Sequence, residues 1–140
     1  MKELHSYWAY LVVIVLIITV LNAILGLKSK KEFTSKDLRL GLFTLIISHI
    51  QLLIGLGWYF MSPYNLLSQE DMALVMKTKE LRLLVIEHPI SMILAIALIT
   101  IGWSKHKKQD TNKGKFKSFV VFYSIALLII LSRIPWSQWF

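Results

Sequence analysis

Four histidines, at positions 5, 49, 88 and 106, are the side chains of this sequence that could ligate a metal through an aromatic nitrogen. The chain has no cysteine, which excludes disulfides, thiolate metal sites and iron–sulfur clusters. His5, His49 and His88 lie at or within long apolar stretches. An ionisable side chain in lipid is costly and is usually functional. These three imidazoles therefore define the candidate chemistry.

His106 lies in a different setting, the lysine-rich segment SKHKKQDTNKGKFK. Such a segment is typical of a solvated loop. We therefore predict that His106 is exposed to water and is not a ligand.

Long apolar stretches account for most of the chain and would position the histidines. Hydrophobic residues make up 56% of the sequence, and a membrane core is crossed by about 20 apolar residues at ~1.5 Å each. Four stretches meet this length, which leaves no room for a separate soluble domain. The sequence predicts an all-α, four-helix transmembrane bundle that forms a single domain over residues 1–140, with spans at about 5–27, 38–61, 83–103 and 118–134.

The charges favour one orientation of this bundle. The formal net charge is +8, which in a soluble protein would suggest nucleic acid, but the excess positive charge falls in two short connections. Residues 28–39 carry five lysines and arginines, and residues 105–117 carry six lysines. Because short lysine-rich loops stay in the cytoplasm, we predict a multi-pass protein of the cytoplasmic membrane with both termini extracytoplasmic. No nucleic-acid partner is expected.

Polar residues within the spans indicate how the helices pack. Asn22 is predicted to make an interhelical hydrogen bond, the usual role of a lone amide in a membrane helix. The connection 63–82 is predicted to form a short helix along the membrane surface. On the second span, residues spaced by three and four form one stripe that should face the bundle: Thr44, Ser48, Gln51, Gly55 and Tyr59.

Imidazoles projecting from separate helices of a cysteine-free bundle fit heme b best, because each face of the iron can take one imidazole. Rise per residue places His5 ~33 Å, His88 ~24 Å and His49 ~15 Å above the inner ends of their helices. These heights select no pair, so His49 stays an alternative ligand. Arg133 either extends to lipid headgroups or binds a heme propionate, and Arg82 is a second propionate candidate.

Two parts of the sequence resemble a half-unit of heme A synthase. IQLLIGLGWYFMSP followed by RLLVIEHPISMILAIALITIG is similar to its third and fourth helices, and LHSYWAYLVVIVLIITV is similar to the preceding helix. The resemblance implies that His5 and His88 are the axial pair and that Gln51 and Gly55 form a packing motif. His49 of this chain has no counterpart in the synthase. Conversely, the acidic residue that the synthase uses in its chemistry has no counterpart in this chain. The sequence also resembles small bacterial four-span proteins described as cytochrome b-like.

Three functions follow as hypotheses. The first is a heme b cytochrome that transfers electrons to a redox partner. The second is an accessory or assembly subunit of a membrane complex such as a respiratory one, in which the histidines only bond within and between helices: His88 with Glu87 or Arg82, and His49 with Thr44 or Gln51. The third and weaker one is a heme-modifying enzyme, in which two copies of the chain replace the two synthase halves.

Overall fold

The computed structural model describes residues 2–139, apart from the side chains of residues 64, 67, 68, 138 and 139. A π-helical turn, Leu83–Glu87, leads directly into α6. In chain order the helices are α1 (Lys2–Ser29), α2 (Ser35–Met61), α3 (Pro63–Glu70), α4 (Met72–Lys77), α5 (Lys79–Arg82), α6 (His88–Lys107), α7 (Asn112–Arg133) and α8 (Trp136–Trp139).

Four helical segments are long and apolar enough to cross a membrane. Three are α1, α2 and α7, and the fourth runs without interruption from α5 through the π turn and α6. The part of the chain that the structure describes contains no strand. The predicted all-α architecture with four candidate membrane spans is confirmed.

The four long helices form a closed ring in which each packs against two neighbours, in the order α1, α2, α6 and α7. Consecutive spans run in opposite directions, so the bundle has two distinct ends. We call the end with residue 2, Ser62 and Ile134 the termini end. The opposite end, with the connections 30–34 and 108–111, is the loop end.

Aromatic rings fill the loop half of the core. Phe116, Phe119 and Tyr123 of α7 are each at most 1% exposed. The Phe119 ring lies against Gly41 of α2, where a Cβ atom would overlap it. The Tyr123 hydroxyl donates to the Gly41 carbonyl at 2.9 Å. The missing side chain at residue 41 therefore lets α2 and α7 approach across the diagonal of the ring.

Polar side chains join α1 to α2. Asn22 donates to Asp37 at 2.7 Å, which confirms its predicted interhelical bond. Asp37 is 1% exposed and also accepts from the Thr34 backbone amide at the start of α2. Thr19 and Thr44 share a hydrogen bond of 2.8 Å. The predicted stripe of α2 faces the bundle, since its members are buried or half-buried.

The connection between α2 and the third span is more broken than predicted. The sequence suggested one surface helix over 63–82, whereas the structure has the three short helices α3, α4 and α5. Asp71 starts α4 by accepting a hydrogen bond from the Leu74 backbone amide at 3.1 Å. Because this carboxylate caps a new helix, α3 ends at residue 70 instead of continuing.

The prediction that His106 is solvated was wrong. α6 extends to Lys107, and His106 is 2% exposed among the rings of Phe33, Trp103 and Phe119. Successive residues of a helix point about 100° apart, so His106 faces the core while its lysine neighbours face outward. Likewise α7 begins at Asn112, six residues before the predicted span, because its lysines form the first turns of the helix.

Candidate functional site

A cavity of about 230 Å³ lies between the four long helices in the termini half of the bundle. All four helices contribute to its mostly apolar wall. Along α1 the wall extends from Lys2 to Val13, which is roughly 16 Å at ~1.5 Å per residue. A few polar groups converging in an apolar cleft are typical of a ligand or cofactor site.

His5 and His88 meet inside this cavity. Their ring centroids are 6.2 Å apart and the ring planes cross at 86°. The fold therefore brings together His5 and His88, a pair that the heights estimated from the rise per residue could not select. Rise along an axis carries no information on how helices tilt or stagger, and these two properties set the distance between side chains on different helices.

The π turn and the end of α7 hold His88. The His88 backbone amide bonds to the Leu83 carbonyl, five residues back, and so continues the π turn into α6. The His88 Nδ1 lies 2.8 Å from the Arg133 carbonyl oxygen. A carbonyl can only accept, so Nδ1 carries the proton and Nε2 of the neutral ring keeps its lone pair. This arrangement is the usual one for a metal-ligating histidine.

Gln51 and Gly55 hold His5 from α2. The Gln51 Nε2 donates to the His5 backbone carbonyl at 2.9 Å and to His5 Nδ1 at 3.1 Å. A Cβ at Gly55 would lie 3.1 Å from His5 Cε1, so glycine leaves room for the ring. The Trp58 ring is 5.3 Å from the His5 ring, centroid to centroid. The packing motif implied by the resemblance thus lies against the first histidine.

Gln51 also carries an unsatisfied atom. Its Oε1 is buried without a hydrogen-bond partner among the described residues. An unpaired buried acceptor costs ~1–3 kcal/mol. An unpaired acceptor in the wall of a cavity is typical of a site in which a ligand, or a neighbouring group after a change in protonation, supplies the missing donor.

The two predicted propionate partners lie elsewhere. Arg82 donates to Glu87 at 3.1 Å and to the Met76 carbonyl at 2.9 Å, and Arg133 lies 3.9 Å from the same Glu87 carboxylate. Neither arginine lines the cavity, whereas Lys2 does. Glu87 is adjacent in sequence to His88 but binds the arginines instead of the imidazole.

His49 is separate from the cavity. It is exposed on the outer surface of the bundle, with Nδ1 2.7 Å from the Leu45 carbonyl oxygen and Nε2 3.2 Å from Thr100 Oγ1. The predicted bonds to Thr44 or Gln51 are not made. The structure therefore does not place the alternative ligand beside His5 or His88.

Sequence reasoning missed Lys2 as a contributor to the site, and it placed Tyr59 on the bundle-facing stripe without identifying its hydrogen-bond partner. Lys2 lines the cavity, and the Tyr59 hydroxyl donates to the Val85 carbonyl at 3.1 Å, within the π turn that leads into His88. Pro89 offered a signal for the Tyr59 bond. Proline has no N–H to donate to the carbonyl four residues before it, so the Val85 carbonyl is left for another donor.

The spacing of the imidazoles fits a metal held between them. A metal–imidazole bond is ~2.0–2.1 Å, so two nitrogens on opposite sides of one ion are about 4 Å apart and their ring centroids on the order of 6 Å. The His5–His88 centroid distance of 6.2 Å matches this value, and it also lies in the range of two rings in edge-to-face contact. The cavity volume is below the roughly 300–1,000 Å³ of usual cofactor clefts, so a macrocycle must widen it or extend past its rim.

Comparison with known proteins adds nothing to this geometry. No family model, curated protein or solved structure matches the chain.

Proposed function

We propose that this protein is a heme b membrane cytochrome, with His5 and His88 as the axial ligands and electron transfer as its task. The observation that carries the proposal is the convergence of the two imidazoles from α1 and α6 in an apolar cavity, with His88 Nε2 free to coordinate. The resemblance to a half-unit of heme A synthase supports the same pair.

The donor set favours a macrocycle over a bare ion. The described part of the chain holds no group of three or more histidine, aspartate or glutamate side chains that could surround a metal. Zinc, the bare ion that imidazoles commonly bind, uses three or four protein ligands in its sites. Two imidazoles are sufficient when a porphyrin supplies the four equatorial nitrogens and the apolar wall covers its faces.

The chain's own residues would do three things for such a group. His5 and His88 coordinate the iron, the Arg133 carbonyl keeps His88 in the coordinating tautomer, and Lys2 offers a positive charge to carboxylates at the cavity mouth. When bound, heme supplies one-electron redox chemistry. The apolar wall and the basicity of the ligands set its potential.

The orientation is part of the proposal. The lysine-rich connections are at the loop end, and the positive-inside rule puts them in the cytoplasm. The cavity would then open at the extracytoplasmic side of the cytoplasmic membrane, where it could exchange electrons with a partner outside the cell membrane.

Optical spectroscopy of the purified, heme-supplemented protein tests the ligands. We expect a Soret band and low-spin α and β bands in the reduced state, and a pyridine hemochromogen spectrum of heme b. His88→Ala and His5→Ala should each lose the low-spin spectrum and lower heme content at least tenfold, because one axial bond is missing.

His49→Ala is the matched control, since it removes an imidazole of the same bundle outside the cavity. It should keep the spectrum. A protein that takes up no heme, or a low-spin spectrum that survives in both His5→Ala and His88→Ala, would overturn the proposal.

One observation favours a second candidate, an accessory subunit of a larger membrane complex. The polar pair His49 and Thr100 lies on the surface that would face lipid, where an ionisable ring is costly. A neighbouring subunit would shield it. After cross-linking in membranes, the neighbouring subunit should copurify with this protein. His49→Leu should reduce the amount of copurified subunit while leaving the fold intact.

A further inference from the structure

The backbone just before His88 contains a position that cannot complete a regular helix. In an α-helix the amide of residue 89 would donate to the carbonyl of residue 85. Residue 89 is proline, which has no N–H. The Val85 carbonyl therefore lacks its ordinary helical donor, although Val85 is only 3% exposed.

The π turn shows how the chain adapts at this point. Leu83–Glu87 has π geometry, and the His88 amide donates to Leu83 instead of Leu84. The extra residue in this turn rotates the preceding helix α5 relative to α6. Single π turns of this kind are frequent at functional sites.

A side chain from the neighbouring span supplies a donor. The Tyr59 hydroxyl of α2 donates to the Val85 carbonyl at 3.1 Å. Tyr59 lines the cavity and lies on the same stripe of α2 as Gln51 and Gly55, which hold His5. One face of α2 thus contacts both histidine-bearing segments.

We propose that Tyr59 is the positioning residue for His88: its hydroxyl takes the place of the amide hydrogen that Pro89 lacks and fixes the π turn against α2. The imidazole is then held from two sides, through its backbone by Tyr59 and through Nδ1 by the Arg133 carbonyl. The role as a heme-ligand positioner rests on the proposed function. The contact itself involves only protein atoms.

Tyr59→Phe removes the hydroxyl and keeps the ring, and Tyr7→Phe is its matched control because Tyr7 is 71% exposed on α1. One hydrogen bond contributes ~0.5–1.5 kcal/mol, so Tyr59→Phe should weaken heme affinity about two- to tenfold. The low-spin fraction should fall and the midpoint potential should shift. Tyr7→Phe should change none of these values.

Pro89→Ala supplies the decisive second variant. It restores an amide at residue 89, so the Val85 carbonyl gains a backbone donor. In this background Tyr59→Phe should change heme affinity less than twofold. An undiminished effect of Tyr59→Phe in both backgrounds would overturn the role, because the hydroxyl would then act through something other than the missing amide.

A measurement on heme-free protein separates this inference from the proposed function. Imidazole ¹⁵N spectra in detergent micelles report the His88 tautomer, and the wild type should show the Nδ1–H form that the Arg133 carbonyl requires. Tyr59→Phe should mix the tautomers, and Tyr7→Phe should not. A fixed tautomer in Tyr59→Phe contradicts the positioning role. Absence of heme uptake with a mixed tautomer contradicts only the cytochrome proposal.

Discussion

Gln51 binds His5 with one end of its carboxamide and leaves the other end buried and unpaired. Since an amide nitrogen only donates, His5 Nδ1 accepts and the Nε2 of the neutral ring carries the proton. His88 has the opposite tautomer. If His5 and His88 both held a heme iron through Nε2, His5 would have to carry its proton on Nδ1 instead, and that N–H would need an acceptor. The unpaired Gln51 Oε1 is adjacent in the same side chain.

Replacing Gln51 should separate stability from ligand binding. Gln51→Leu loses two hydrogen bonds, each ~0.5–1.5 kcal/mol, and also removes an unpaired acceptor that costs ~1–3 kcal/mol. These contributions nearly cancel, so the free energy of unfolding in detergent should change by less than about 1 kcal/mol. The low-spin heme fraction should fall severalfold, because His5 is no longer oriented.

Gln109→Leu is the control, the same substitution at the loop end, where the Gln109 side chain bonds only to the Lys105 carbonyl among the described residues. It should leave the heme spectrum as it is. A Gln51→Leu protein with a full low-spin spectrum would show that the carboxamide does not orient the ligand.

At the scale of the elements, the loop half of the bundle is a packed core and the termini half contains the cavity. Thr44 of α2 is fully buried in the helix packing, whereas Ser48, Gln51 and Gly55, one, two and three turns further, line the cavity. One stripe therefore serves helix packing in its first half and the site in its second. Changes in the first half should affect stability without affecting the ligands.

Gly41→Val tests this division. A side chain at residue 41 overlaps the Phe119 ring, which is 1% exposed and packs against the rings of His106 and Tyr123. Overpacking of this kind costs ~1–3 kcal/mol. We expect the free energy of unfolding in detergent to fall by about that amount, with an unchanged spectrum in the fraction that remains folded.

Leu42→Val is the matched control, because Leu42 is the next residue and faces outward with 36% exposure. It should cost much less. A Gly41→Val protein as stable as Leu42→Val would mean that α2 and α7 do not approach each other as closely as the structure has them.

At the scale of the whole molecule, the constraints of a bilayer explain what the sequence could predict. A membrane span must satisfy its backbone internally and be apolar over its length, so four spans could be predicted from composition and length. Their boundaries could not, because Lys113, Lys115 and Lys117 begin α7 although they are charged. Helix ends depend on caps and on water at the membrane surface, which hydropathy does not report.

The site could be predicted only in part, for a different reason. The likeness to a synthase half-unit implied His5 and His88 as a pair, and the structure places these two rings together. Distances along single helices selected no pair, because they contain no information about relative tilt. The positions of Arg82 and Arg133 depend on competition for one carboxylate, Glu87. No local sequence pattern predicts which partner a charged side chain contacts in three dimensions. The burial of the His106 side chain could not be predicted from a local pattern either.

The proposed orientation of the bundle leads to a test on the intact membrane. The chain has no cysteine, so the natural sequence is a ready background for single-cysteine variants. Leu4→Cys lies at the termini end and Glu32→Cys at the loop end, and both positions are exposed. If lysines keep the loop end in the cytoplasm, a membrane-impermeant maleimide added to intact spheroplasts should label Leu4→Cys within minutes. Glu32→Cys should react only after permeabilisation, as should Asp110→Cys in the second lysine-rich connection. The reverse pattern would put the cavity on the cytoplasmic side, and its redox partner would then have to be cytoplasmic.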